Sequence, residues 1–512
     1  MSERANRPPT LRLAAIDPLV VTLRDLAPGD LLDDEGVRAK DAIPRGHKAA
    51  VRPIATGTAV LKYGQVIGSA SRDIAPGEHI HSHNLEFRPS TADHAIGLNR
   101  KPAVILPESE AATFQGIVRP DGAIATRNYI GVLTTVNCSA TVARLIADQF
   151  RGPEALAQFP HVDGVVALTH AVGCAAAENS EATAILQRTI AGYARHPNFA
   201  SVLIVGLGCE TNGLDRLLQE QDLQTAGRIH RFMIQETGGT GATVRAGVDR
   251  IKALLQEADQ ARRTAVPARH LKVALQCGGS DGFSGITANP ALGIAADLVV
   301  CNGGTAILSE TPEIYGAEHM LLSRAVSQDV GHKLLDLISW WERYAAVHGD
   351  SLDNNPSPGN KAGGLTTILE KSLGAAAKGG STDLVDVLRY AEPVSKPGFV
   401  FMDTPGYDPV SATGQVAGGA NVICFTTGRG SCFGCKPVPS LKLATNTAVY
   451  RKMTEDMDIN CGTIADGAET VEEVGETIFN QILQVASGEK TKSEQLGYGG
   501  DEFVPWHFGA TL

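Results

Sequence analysis

The chain runs to 512 residues, 43% of them hydrophobic and 20% charged, enough for more than one domain around a large core. Its net charge of -11 argues against a polyanionic nucleic-acid partner but leaves an anionic small molecule open, because a basic pocket can sit in an acidic protein. The polar opening MSERANRPPT and the lack of a long uncharged span argue against secretion and membrane insertion, and nine scattered cysteines read as reduced thiols of a cytoplasmic protein.

Residues 12–90 alternate short apolar runs (PLVVTL, KAAVRPI, TAVLKYG) with the turn signals APGD, IPRGH, YGQVIG and APGEH, which predicts a small all-β module. Within it GEHIHSHN sets His79, His81 and His83 at alternate positions. On an extended segment these imidazoles face one side and can grip a divalent metal, although a solvated edge face is the commoner fate of any one histidine. His47 occupies the IPRGH turn. The polar, proline-bearing stretch 91–113 reads as a linker. From residue 114 to 512, apolar runs alternate with helical segments such as VNCSATVARLIADQF and ENSEATAILQRTIAGYARH, which predicts an α/β body with parallel strands. A further apolar series near Gly398 is compatible with a second lobe from about 396 or with continuation of the same sheet.

Cys138, Cys174, Cys209 and Cys277 each close an apolar run, in YIGVLTTVNC, VVALTHAVGC, SVLIVGLGC and LKVALQCGG, the last three beside glycine. Carboxyl ends of parallel strands are where open sheets bind ligands, so the four thiols are expected to converge on iron, zinc or an iron–sulfur cluster. Taken singly, a free cysteine is more often a small buried hydrophobe. Arg127 and Asn128 precede a strand in ATRNYIG; His170 sits four residues before Cys174; Ser280 and Asp281 lie in the glycine-rich loop after Cys277. NPSPGNKAGG presents Asn360 and Lys361 on a turn, and TTGRGSCFGCKP sets Thr426, Thr427 and Arg429 at a strand end, followed by the lone C-x-x-C of Cys432 and Cys435. GLGCETNG and ETGGTGATVRAG match neither a dinucleotide fingerprint nor a Walker loop.

In the run from IPRGHKAA through KYGQVIG to GEHIHSHN, and then in ATRNYIG, THAVGC, GLGCE, CGGSDGFSGITANP, NPSPGNKAGG and FTTGRG, the chain resembles the altronate/galactarate dehydratase family over nearly its whole length. The resemblance implies an N-terminal SAF (β-clip) domain, a catalytic body, and dependence on ferrous iron (Fe2+), manganous ion (Mn2+) or another divalent metal; it does not decide between a single ion and the iron–sulfur cluster that the cysteine contexts also allow. Members dehydrate sugar acids, and a related branch eliminates sulfite from sulfolactate. GEHIHSHN is similar to the altronate branch, and MDINCGTIADGAETVEEVG is closer to the galactarate type.

The expected reaction is loss of water from an altronate-type aldonate, with a galactarate dehydratase or a sulfolactate sulfo-lyase-like enzyme the alternatives and a non-catalytic sugar-acid-binding protein the rival class. His170 or Lys361 is the expected base, Arg127 and Arg429 the carboxylate clamps, and Ser280, Thr426 and Thr427 the holders of hydroxyls, with Asp281, Asn128 and Asn360 beside them. The metal falls either to the four cysteines or to His47, His81 and His83. A homo-oligomer is compatible with the sequence.

Overall fold

The computed structural model describes residues 9–32, 36–88, 95–152, 154–174, 177–224 and 227–509. Residues 91–94 of the expected linker, and 89–90 at the end of the β module, lie outside them.

The first part is all-β. Thr10–Leu11, Leu19–Thr22, Lys48–Ala50 and His79–Ile80 form one antiparallel sheet, and Ala59–Lys62, Gln65–Ala70 and Leu85–Glu86 form another. Lys48 pairs with Ile80 and Ala49 with His79, a register that sets His47 opposite His81 and turns Lys48 to the other face. There Lys48 and Lys62, both fully buried, meet Glu370 of the helix Ile368–Ala377 at 2.9 and 2.8 Å. Burial pushes the Glu370 carboxyl up, but the two ammonium groups outweigh it and hold it well below the usual carboxylate range. This charge triad fastens the module to the body.

The parallel strands of the body divide between two sheets. In the four-stranded one Tyr129–Thr134 lies between Gly164–Leu168 and Phe199–Gly206, with Ile229–Met233 beyond the latter. Helices Ala140–Asp148 and Thr240–Ala258 cover one face, and Glu181–Arg195 packs on the other against helix Asp408–Ala417. The second sheet has seven parallel strands in the order Leu384–Leu388, Gly398–Met402, Thr305–Leu308, Lys272–Cys277, Val422–Thr427, Ser440–Ala444 and Ile459–Asn460. The series near Gly398 therefore continues the sheet begun at Lys272, and no separate lobe starts near 396. No helix among the described residues is long and apolar enough to cross a membrane.

Lys272–Cys277 begins the large sheet. The chain adds strands on one side of it and then crosses to Val422–Thr427 on the other. The connections leaving Cys277 and Thr427 thus diverge, and a switch of this kind opens a crevice at the carboxyl edge.

Candidate active site

Loop 278–287 leaves strand Lys272–Cys277 at that crevice, and Asp281 is its anchor. One carboxylate oxygen accepts from the N–H groups of Phe283 and Ser284 and from the hydroxyls of Ser284 and Thr445; the other accepts from Asn446, all at 2.9–3.1 Å. Asn360 donates to the Ser280 carbonyl at 2.9 Å, Thr426 donates to Asn289 at 2.7 Å, and Thr427 Oγ1 accepts from the Gly430 N–H at 3.1 Å. The N–H groups of Gly428 and Arg429 both donate to the Gly279 carbonyl, at 3.1 and 3.0 Å. Asp281, Asn360, Thr426 and Thr427, expected to act on substrate, therefore use their polar atoms on the loops themselves, which is how so polar a segment tolerates burial. Ser280, half-buried Lys361 and exposed Arg429 carry none of these side-chain bonds.

The β module meets the same loops. A Cβ on Gly282 would collide with the Gly46 carbonyl oxygen, so the IPRGH turn is seated directly on loop 278–287. His47 and His81 stack with ring centroids 5.1 Å apart; His79 lies 5.1, 5.4 and 5.5 Å from His47, His81 and His83. The Nε2 atoms of His47 and His81 donate to the carbonyls of Ala362 and Lys361, at 3.3 and 2.9 Å, and His79 Nε2 donates to His47 Nδ1 at 3.0 Å. Burial, then Lys48, lowers His47 to about 4; burial, then His47, lowers His79 to about 3; burial lowers His81 as well. The imidazoles are neutral bases whose tautomers are set by backbone carbonyls. The alternation in GEHIHSHN underlies the cluster, but only His79–Ile80 is extended, so exposed His83 joins through a turn, and His79, outside the expected metal set, is its hub.

Other expected site residues are engaged elsewhere. Arg127, 1% exposed, makes two bonds to Glu494 at 2.6 and 2.8 Å and further bonds to the carbonyls of Thr126, Val485 and Glu489, so it has no fork free for a substrate carboxylate. Asn128 is fully buried and donates to the carbonyls of His161 and Ala258. His170 donates from Nε2 to the Thr134 carbonyl at 2.9 Å and accepts at Nδ1 from the Val172 N–H, while burial lowers it to about 4; it is a satisfied structural histidine and not a base at the crevice. The four strand-end cysteines do not converge. Cys138, Cys174 and Cys209 are exposed at the four-stranded sheet, whereas Cys277 is buried in the seven-stranded one.

Cys277 belongs instead to a buried charge cluster with Glu310, Glu313, Lys371 and Lys378. Lys378 Nζ lies 2.8 Å from Cys277 Sγ, and Lys371 Nζ lies 2.7 Å from Glu313. Burial pushes the Cys277 thiol up to about 12; burial, then Glu313, raises Glu310 well above the carboxylate range. Glu310 and Glu313 follow an apolar run in LSETPEIYG, the context that singled out the cysteines, while no local pattern marks the two lysines.

Three family models cover this chain in succession: the altronate/galactarate dehydratase SAF domain over residues 8–88, the D-galactarate dehydratase/altronate hydrolase second domain over 116–259, and the D-galactarate/altronate dehydratase C-terminal region over 268–511. The chain is 36% identical to the altronate dehydratase of Bacillus subtilis (strain 168), over 97% of its own length and 98% of the relative's. It is 39% identical to the galactarate dehydratase (L-threo-forming) of Escherichia coli (strain K12), over 90% of each chain. To the altronate dehydratase of the same E. coli strain it is 34% identical, over 98% of this chain and 99% of the relative.

Proposed function

Because the chain belongs to the D-galactarate/altronate dehydratase family, we propose that it dehydrates an altronate-type aldonate to a 2-keto-3-deoxy acid. The observation that carries this reading is the seating of the β module's neutral imidazoles and of its Gly46 turn, at the switch-point crevice, on the segment that carries Lys361 and on loop 278–287, to which Arg429 is tied through Gly279.

The reaction takes the proton from the carbon beside the carboxylate and expels the neighbouring hydroxyl. Arg429 pairs with the substrate carboxylate through its fork of donors. Lys361 is the base of this reading: it takes the C2 proton and returns it to the departing C3 oxygen, so that water leaves and the enol tautomerises to the keto acid. Ser280 orients a substrate hydroxyl. Of the two arginines expected to clamp a carboxylate, Arg127 is bound to Glu494 and Arg429 is left, which favours a monocarboxylate over the dicarboxylate galactarate.

The donor chemistry fits a ferrous or manganous ion. With protons on the Nε2 atoms, His79 keeps its Nδ1 lone pair for an ion, while His47 Nδ1 accepts from His79 and His81 Nδ1 accepts from the Ser82 hydroxyl, bonds an ion would replace; carbonyl partners fix the His47 and His81 rings. Such an ion would polarise the substrate's carboxylate and hydroxyl oxygens. A second placement is favoured by the ligand atoms of Cys277, Glu310 and Glu313, which all lie within 4.8 Å of one another, and by Glu310 Oε1, buried without a partner. Against it, Lys371 and Lys378 already balance that charge.

Anaerobic incubation with Fe2+ and a panel of aldonates and aldarates tests the reading. Altronate is expected to yield keto-deoxy acid ahead of galactarate. Binding without turnover would make the chain a sugar-acid-binding protein, and preference for galactarate would overturn the substrate assignment.

A further inference from the structure

The cysteines separate by environment. Cys277, Cys424, Cys435 and Cys461 are buried, as small apolar side chains are, but Cys138, Cys174 and Cys209 are exposed at the ends of three neighbouring parallel strands, Tyr129–Thr134, Gly164–Leu168 and Phe199–Gly206. Packing does not explain three thiols in solvent at one sheet edge.

Their loops are tied into one unit. The Asn137 N–H donates to the Val172 carbonyl at 3.0 Å, beside Cys138 on one side and near Cys174 on the other. The Asn212 N–H donates to the Gly173 carbonyl at 3.1 Å, and Asn212 Nδ2 donates to the Thr135 carbonyl at 2.9 Å, joining the third loop to the first two. Glu210, next to Cys209, accepts from the Thr135 hydroxyl at 2.6 Å and from the Gly208 N–H at 2.7 Å. Gly173, at φ 106°, lies so close to Thr135 that a Cβ there would strike its carbonyl oxygen. Gln235 Nε2 donates to the Cys209 sulfur at 3.5 Å, and Asn212 Oδ1 is buried without a partner.

We propose that Cys138, Cys174 and Cys209 bind a cubane iron–sulfur cluster through three thiolates, leaving one iron without a cysteine ligand. Soft thiolates select iron–sulfur clusters, and a hydrogen bond to a ligating sulfur, such as that from Gln235, tunes them. Among the described residues, Cys277, Glu310 and Glu313 are the group whose ligand atoms all lie within 4.8 Å of one another. Cys138, Cys174 and Cys209 are not such a group, so their thiols do not close on a single ion. This site lies at the four-stranded sheet and not at the seven-stranded one, and it does not rest on the dehydratase reading.

The full-length protein, kept anaerobic and reconstituted with Fe2+ and sulfide, should show broad visible absorbance and about one acid-labile sulfide per iron. Both should be lost in Cys138→Ser, Cys174→Ser and Cys209→Ser and kept in Cys432→Ser and in the His79→Ala, His81→Ala double variant. Retention in any of the three serine variants overturns the proposal. Iodoacetamide labelling of the wild type, read by peptide mass spectrometry, guards against misfolded variants. Reconstitution should protect Cys138, Cys174 and Cys209 and leave exposed Cys432 reactive; equal labelling before and after would overturn the site.

Discussion

The two parallel sheets end their central strands alike, in an apolar run closed by a cysteine, yet the edges differ in what lies over them. At the four-stranded sheet Cys138, Cys174 and Cys209 stand in solvent; at the seven-stranded sheet Cys277 is 2% exposed, with the Lys378 ammonium against its sulfur. The second edge carries a cover. Lys48 and Lys62 on Glu370 hold the β module over loops 278–287 and 361–364. Covered loops must pair their polar atoms with one another, as Asp281 and Asn360 do, while uncovered ones can leave theirs to solvent or a ligand. A strand-end motif therefore does not set its own environment.

Acidification should weaken both regions and give the largest effect, because it acts on several groups together. Burial lowers His170 and His196 to about 4 from an ordinary 6.5. Below pH 6.5 the unfolded chain takes up protons that the folded chain refuses, so stability falls from 6.5 down to about 4 and is flat just above that window. Thermal melting against pH checks this; a melting temperature level from 7 to 4 would contradict it.

Loosening the cover comes next. Glu370→Gln leaves two buried ammonium groups without their carboxylate and should cost about 3–5 kcal/mol in urea unfolding, with faster proteolysis of the module. Unchanged stability would mean that the cover is held by something else. Arg127→Ala breaks a buried pair at the other sheet and should cost about 3 kcal/mol of stability with KM unchanged. A raised KM in a normally stable variant would return Arg127 to the substrate. The smallest effect is expected of Arg429→Ala, a loss of about 2 kcal/mol, roughly 30-fold in kcat/KM, with unfolding unaltered. Unchanged kinetics would remove the carboxylate clamp.

The alternation of elements was legible in the residues. YIGVLTTVNC contains the strand Tyr129–Thr134, and ENSEATAILQRTIAGYARH the helix Glu181–Arg195, capped by Ser180. Which strands neighbour one another was not, because an apolar run carries no mark of its partner; hence Cys277 looked like a companion of the other three. Arg127 looked free because Glu494, its partner, lies 367 residues away in the chain. The histidine cluster was half legible. Alternation marks His79, His81 and His83, but the central place of His79 follows from the pairing of its strand with Lys48–Ala50. Lys371 and Lys378 lie in a helical stretch where only the fold reveals that they face carboxylates.

Metal content measured beside kcat tests the histidine-capped crevice most directly. The His79→Ala, His81→Ala double variant and the Glu310→Gln, Glu313→Gln double variant should each be compared with the wild type after chelation and reloading with Fe2+ or Mn2+, the latter serving to separate a single divalent ion from a cluster. The histidine variant should lose Mn2+ binding and aldonate dehydration together, while the glutamine variant still binds Mn2+. Full Mn2+ binding and undiminished turnover in the histidine variant, with both lost in the glutamine variant, would move the divalent ion to the buried cluster and contradict the account.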